Sequence, residues 1–179
     1  MRKNGRIRAG RAGRGASLQE FQEALSKRIG AAASVVQKDL RLGIRVGSHD
    51  WLLALPDAGE VIPVPAITPV PRTKPWMLGL ANVRGRLHAV ADLAAFFGET
   101  PTAIDPRARL LLVGQRHGSN AAILVDRVLG LKSIAELSLL PSAEDGWVVK
   151  QYSDAQGKSW RELALSRLLS AEAFCAAAA

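Results

Sequence analysis

From Leu40 onward the chain is a series of short apolar runs broken by glycine, proline, asparagine and aspartate. Their texture is that of strands and turns rather than long helices. Residues 40–46 alternate in strand fashion, Gly47-Ser48-His49-Asp50 reads as a turn, and residues 51–55 form a second apolar strand, which predicts a hairpin. Glu60-Val61-Ile62 follows as a short strand. Pro63, Pro65, Pro69, Pro71 and Pro75 then exclude helix and suit edge strands and extended loops. Residues 76–83 and 87–91 are apolar runs on either side of Arg84-Gly85, a tight-turn signal. Asp92 caps a short helix that ends at Gly98. The second half repeats the texture: strands at 109–113, 121–125 and 128–131, a turn at 115–119, and a loop over 134–142. A hairpin of 147–151 and 159–163 follows, and then a terminal helix over 164–169. So many short strands in two clusters predict a mostly β fold of two small barrels sharing a core.

Ahead of this region, residues 1–16 are arginine, glycine and alanine with little to bury. Such a segment cannot offset its ordering entropy, which predicts a disordered basic tail. Ser17-Leu18-Gln19-Glu20 is a capping box, and Leu18, Phe21, Leu25 and Ile29 make a helical apolar stripe stopped by Gly30. The expected domains are therefore 1–16 (tail), 17–39 (amphipathic helix and linker), 40–170 (the β domain) and 171–179 (C-terminal tail).

Charge alters the picture only once it is located. Of the net +8, residues 1–15 carry six cations and no acid, leaving +2 for the rest. A nearly neutral body argues against a broad phosphate-binding face. The one cysteine, Cys175, allows no intramolecular disulfide, and no run of 18 apolar residues could span a membrane. The expectation is a cytoplasmic protein.

Candidate chemistry is sparse. His49 and His117 sit in predicted turns and His88 on a strand. No His-x-x-x-His or Cys-x-x-Cys spacing exists, so neither a metal nor a cofactor is expected. Cys175 has no visible base beside it, and nothing places the carboxylates of Glu60 and Asp92 together. No phosphate loop or nucleophile elbow is present, which points away from an enzyme and from a small-molecule substrate.

The informative stretch is Asn82-Val83-Arg84-Gly85 between two apolar strands. Gly85 permits positive φ, Asn82 can bond the turn backbone, and Arg84 projects from a rigid corner. An arginine so placed either keeps a loop soluble or anchors an interface.

These residues carry a resemblance. Leu42 to Leu55, Glu60-Val61-Ile62, Gly79-Leu80-Ala81-Asn82-Val83-Arg84-Gly85, Asp92-Leu93 and Ala122-Ile123-Leu124-Val125-Asp126-Arg127-Val128 together resemble the CheW-like family of chemotaxis coupling proteins. The wording around Trp76 to Ala94 is most similar to members serving type IV pilus twitching systems, although Ala89-Val90-Ala91 stands where the family usually has Pro-Val. The resemblance implies two intertwined five-stranded SH3-like barrels. It implies an adaptor role between the regulatory domain of a CheA-type histidine kinase and the cytoplasmic tip of a methyl-accepting chemoreceptor, at membrane-associated receptor arrays. By position it puts Glu60, Asn82, Val83, Arg84, Val125 and Val128 at a receptor groove. Pro63, Val64, Ile67 and Gly79 would lie near a kinase-facing surface. An apolar cleft with a polar anchor is what docking a helical hairpin tip would need. The competing reading is a small basic barrel that binds nucleic acid through its N-terminal arm, with a steep salt dependence.

Overall fold

The computed structural model describes residues 39–141 and 146–178. The predicted tail 1–16 and the helix predicted from Ser17 lie outside the described residues.

Among the described residues, twelve strands and three short helices follow in order. They are β1 (Leu40–Val46), β2 (His49–Ala54), β3 (Ala58–Pro63), β4 (Ile67–Thr68), β5 (Met77–Val83), β6 (Arg86–Asp92), α1 (Leu93–Phe96), β7 (Arg109–Val113), β8 (Ala121–Val125), β9 (Arg127–Ser133), β10 (Ser138–Leu140), β11 (Val148–Ser153), β12 (Ser159–Leu163), α2 (Leu165–Ser170) and α3 (Glu172–Cys175). One sheet has the order β10-β11-β12-β2-β1-β9, the other β3-β7-β8-β6-β5-β4. The second sheet is thus inserted in sequence between β2 and β9 of the first.

Both sheets must roll up. In the inserted sheet the two edge strands, β3 and β4, are consecutive and joined only by Val64-Pro65-Ala66. Four Cα steps reach about 14 Å, whereas the edges of a flat six-stranded sheet lie about 24 Å apart. The same holds for β9 and β10, joined by residues 134–137 with a 3-10 turn at Ile134–Glu136. Closure leaves each sheet with little open edge. The expected two-barrel, mostly β fold is what forms. Each barrel has five longer strands plus one very short closing strand, β4 or β10. The β10 segment falls where a loop was expected, because Ser138-Leu139-Leu140 has no alternation of its own and takes its register from β11.

The two barrels share one topology. Replacing β3–β8 by β9–β12 followed by β1–β2 turns one strand order into the other. Each barrel holds one parallel pair, β6 with β8 and β12 with β2. The chain is therefore a repeat, β1 to α1 and then β7 to α2, in which each barrel takes its β-hairpin (β1–β2 or β7–β8) from the other repeat.

Parity explains why the central strands read as unbroken apolar runs. Trp51 and Leu53 of β2, Leu111 and Val113 of β7, and Ile123 and Val125 of β8 face a core shared by the barrels, with Leu93, Leu165 and Leu168 of the helices. The alternate residues fill barrel interiors. Leu52 packs with Tyr152 and Trp160 in one, and Leu110 and Ala122 with Ala81 and Val90 in the other. Strands buried on both faces lose the polar alternation.

Within the tail expected over 171–179, residues 172–175 form α3. Phe174 stacks on Trp76 and meets Phe96 edge-on, the Lys74 N–H donates to the Ala177 carbonyl, and Thr73 bridges to Ala178.

Inside the β1–β2/β9–β12 barrel, the Tyr152 hydroxyl donates to Glu162 Oε2 (3.1 Å), and Arg41 Nε donates to Glu162 Oε1 (2.7 Å). Burial, then the Glu162 charge and hydrogen bond, push the phenol up to about 12 from its usual 10. Between these values the folded chain holds a proton that the unfolded chain has lost, so stability falls as pH rises through that window. Tyr152→Phe should flatten this alkaline fall, as read from urea midpoints on either side of pH 10.

Candidate functional site

The β5–β6 turn is a tight corner. Val83 pairs with Arg86, so only Arg84 and Gly85 make the reversal, with φ of 51° and 81°. Two positive φ values in a two-residue loop are the I′ pattern that matches strand twist, and its first position ordinarily takes asparagine, aspartate or glycine. Arginine there is strained by about 1 kcal/mol. Asn82 Oδ1 accepts the Gly85 N–H at 2.9 Å and holds the reversal. The Arg84 side chain stays 77% exposed, and its Nη2 lies 2.5 Å from Glu60 Oε1 on β3.

Beside this pair opens a cleft of about 530 Å³, lined by Glu60, Val83 and Arg84 together with Arg86, His88, Gln115, Ser119 and Asn120. The furrow is thus present but polar, where an apolar one was expected: the ends of β3 and β6 and the β7–β8 connection supply its walls, and polar residues dominate such ends. Its wall at Gln115 is pinned from behind, where buried Asp57 pairs with both His117 (2.6 Å) and Arg116. His88 Nδ1 donates to the Arg86 carbonyl at 3.2 Å. Arg86 is exposed and makes no ion pair among the described residues.

The structure divides the predicted receptor set. Glu60, Asn82, Val83 and Arg84 come together at the corner. Val125 is fully buried in the shared core, about 13 Å along β8 from the Ala121 end that borders the cleft. It shares a face with Ile123 and has no surface to offer a partner. Val128 lies on β9 of the other barrel, half-buried and paired with Ile44.

The sequence from Arg41 to Ala173 matches the CheW-like domain. The chain belongs to the CheW-like domain family. Among relatives of this CheW-like chain, Protein PilI of Pseudomonas aeruginosa is 33% identical over 102 residues and Protein FrzA of Myxococcus xanthus 37% over 103. These matches span 57% and 58% of both partners, so the chain covers less than two thirds of either relative. The crystal structure of the scaffolding protein TtCheW from Thermoanaerobacter tengcongensis has the same fold, with a TM-score of 0.63 at 22% identity over 76% of this chain and 95% of its own.

In the CheW-like domain the predicted kinase-facing set follows the closure of the inserted barrel. Pro63 ends β3 exposed, Val64 opens the three-residue link, and Ile67 pairs with Ala81 while half-buried. Gly79 is different. It is buried at a β5 bulge with φ 135°, and a Cβ there would sit 2.1 Å from the Thr68 carbonyl oxygen. Its role in this fold is to admit β4.

The other polar residues singled out from sequence are structural in their surroundings. His49 Nδ1 lies 3.0 Å from Glu99 Oε1. Asp92 caps α1 far from Glu60 in the chain and shares no contact with it. Cys175 is exposed at the end of α3, its thiol donating to the Leu169 carbonyl. No group of three or more His, Cys, Asp or Glu is placed to hold a metal, and no helix is long and apolar enough to cross a membrane, among the described residues. Sequence reasoning missed Arg86 and the 115–120 wall. The two-residue turn was the available signal for Arg86, because it places positions 84 and 86 together at the hairpin tip.

Proposed function

We propose that this protein is a non-catalytic adaptor that couples the cytoplasmic tip of a methyl-accepting chemoreceptor to the regulatory domain of a CheA-type histidine kinase, and that its pathway controls type IV pilus twitching. It needs no cofactor and works at the cytoplasmic side of receptor arrays. The observation that carries this reading is the Arg84 corner: a strained, exposed arginine, oriented by Glu60 and standing over a cleft. A position where asparagine or glycine would relax the backbone is occupied by a residue suited to gripping a partner. Glu60, Asn82, Val83 and Arg84 form the receptor side, with Arg86 beside them. The partly exposed rim from Pro63 to Ile67 forms the kinase side, with Gly79 supporting it from behind. The likeness to PilI and the wording around the 76–94 stretch support the twitching pathway.

The test uses two variants at one position. Arg84→Glu sets two carboxylates against each other and removes the anchor. Receptor binding in a co-sedimentation assay should fall about 30-fold or more, the scale of an interface hot spot. Arg84→Gly relieves the turn while losing an exposed ion pair worth between about 0 and 1 kcal/mol. It should match or exceed the parent in thermal stability yet still bind receptor more weakly. Full receptor binding by both variants would remove the corner from the interface.

A further inference from the structure

A second groove, sharing no residue with the Arg84 cleft, has a volume of about 700 Å³. Its walls are Trp51, Phe96, Phe97 and Trp147, with Arg161 and Glu99 at its polar margin. Four observations converge on it. First, its rings belong to one aromatic network: Trp51 stacked on Phe97 at 4.9 Å, and Phe96 tilted against Phe97 at 5.8 Å and against Trp147 at 5.7 Å. Second, Trp51 is 3% exposed, and its indole N–H is the one buried side-chain donor without an acceptor among the described residues. An unmet buried donor is a standing cost that an occupant with a carbonyl can relieve. Third, the Arg161 guanidinium lies 5.8 Å from the centre of the Trp51 ring and makes no ion pair among the described residues. Fourth, the neighbouring anion is already satisfied. Glu99 accepts the Ser48 N–H and hydroxyl at 2.8 Å each and faces His49. Partial burial pushes its carboxyl up, but those hydrogen bonds and His49 outweigh this and hold it below the usual range. An adjoining cleft of about 330 Å³ shares Ser48, His49 and Arg161 and adds Arg45 and Lys158, both already paired with buried Asp50.

What the groove lacks is therefore specific: apolar bulk between its rings, one negative charge for Arg161, and one acceptor for the Trp51 N–H. We propose that it docks a short peptide segment of a partner protein in which a bulky apolar side chain stands next to a carboxylate. The apolar side chain enters among Phe96, Phe97 and Trp147. The carboxylate meets Arg161, whose planar fork suits it. A backbone carbonyl of the segment takes the indole proton. Charge complementarity selects this occupant over a basic or neutral one, since among the described residues Arg161 is the groove's unpaired ion and Glu99, its one acid, is spent. The proposal stands apart from the receptor and kinase reading.

The experiment uses the full chain, ¹⁵N-labelled, and two blocked peptides at millimolar concentration, acetyl-Ala-Phe-Glu-Ala-amide and its lysine counterpart acetyl-Ala-Phe-Lys-Ala-amide. The Trp51 indole resonance is assigned with Trp51→Phe. The glutamate peptide should shift the Trp51 indole proton downfield and perturb the Trp147 indole, binding about tenfold more tightly than the lysine peptide. Arg161→Gln, which keeps the stem of the side chain, should erase that preference while leaving the rest of the spectrum in place. Absence of any shift at saturating solubility, equal binding of the two peptides, or an unaltered preference in Arg161→Gln would each overturn the proposal.

Discussion

Gly79→Ala is expected to lower stability by about 3 kcal/mol or more, a drop in Tm of about 10 °C for a chain of this size. The reason is steric and cannot relax cheaply. At φ 135° an L side chain is strained whatever space surrounds it, and here the added methyl meets the backbone of Thr68 and Pro69 rather than a movable side chain. Moving Thr68 means moving β4, a strand of two residues held to β5 by the Ile67–Ala81 and Thr68–Leu80 pairs. β4 closes its barrel, so its departure would open the interior around Ala81 and Val90 to water. Thermal unfolding would report the loss. Amide hydrogen exchange would place it, with protection vanishing first along β5. A variant as stable as the parent would refute the account of Gly79 as a packing residue.

Asp92→Ala is expected to cost about 4 kcal/mol. Asp92 is 1% exposed and binds four donors. Its Oδ1 accepts from the Ala94 N–H, the Ala95 N–H and the Thr102 hydroxyl, and its Oδ2 accepts from the Thr102 N–H at 2.7 Å. Alanine removes the cap of α1 and leaves buried donors at Ala94 and Thr102 without partners. It also frees the 102 segment from the helix it ties down. Asp92→Asn keeps the shape and one acceptor oxygen, so it should recover about half the loss. Chemical denaturation of the three proteins would rank them, and equal midpoints for all three would sink the argument.

What could be read from sequence was local. The β1–β2 and β5–β6 hairpins, the Arg84-Gly85 reversal, the Asp92 cap and the β11–β12 hairpin depend on residues a few positions apart, and turn chemistry announces them. Even there the edges moved. The turn expected over residues 47–50 tightens to Gly47-Ser48, because His49 pairs back onto Val46. What escaped was non-local. Nothing in residues 49–54 declares that β2 lies parallel to β12, and nothing in residues 121–125 declares the same of β8 and β6. The nesting of one barrel inside the sequence of the other follows from those pairings. The Arg84 corner was legible because one turn makes it. The cleft beside it was not, because Gln115 and Asn120 arrive from another hairpin. Val125 could have been withheld from the receptor set by parity alone, since Ile123 and Val125 must face the same way along β8.

The exchange of hairpins between the two repeats has a consequence for how the molecule comes apart. Severing the backbone in the connection between α1 and β7 would leave two pieces, each lacking two strands of one barrel and four of the other, and each holding the strands the other needs. Neither piece could complete a closed sheet alone, but mixed together they should reassemble the whole. The domain is thus a natural candidate for a split reporter, in which recovered structure signals that two halves have met.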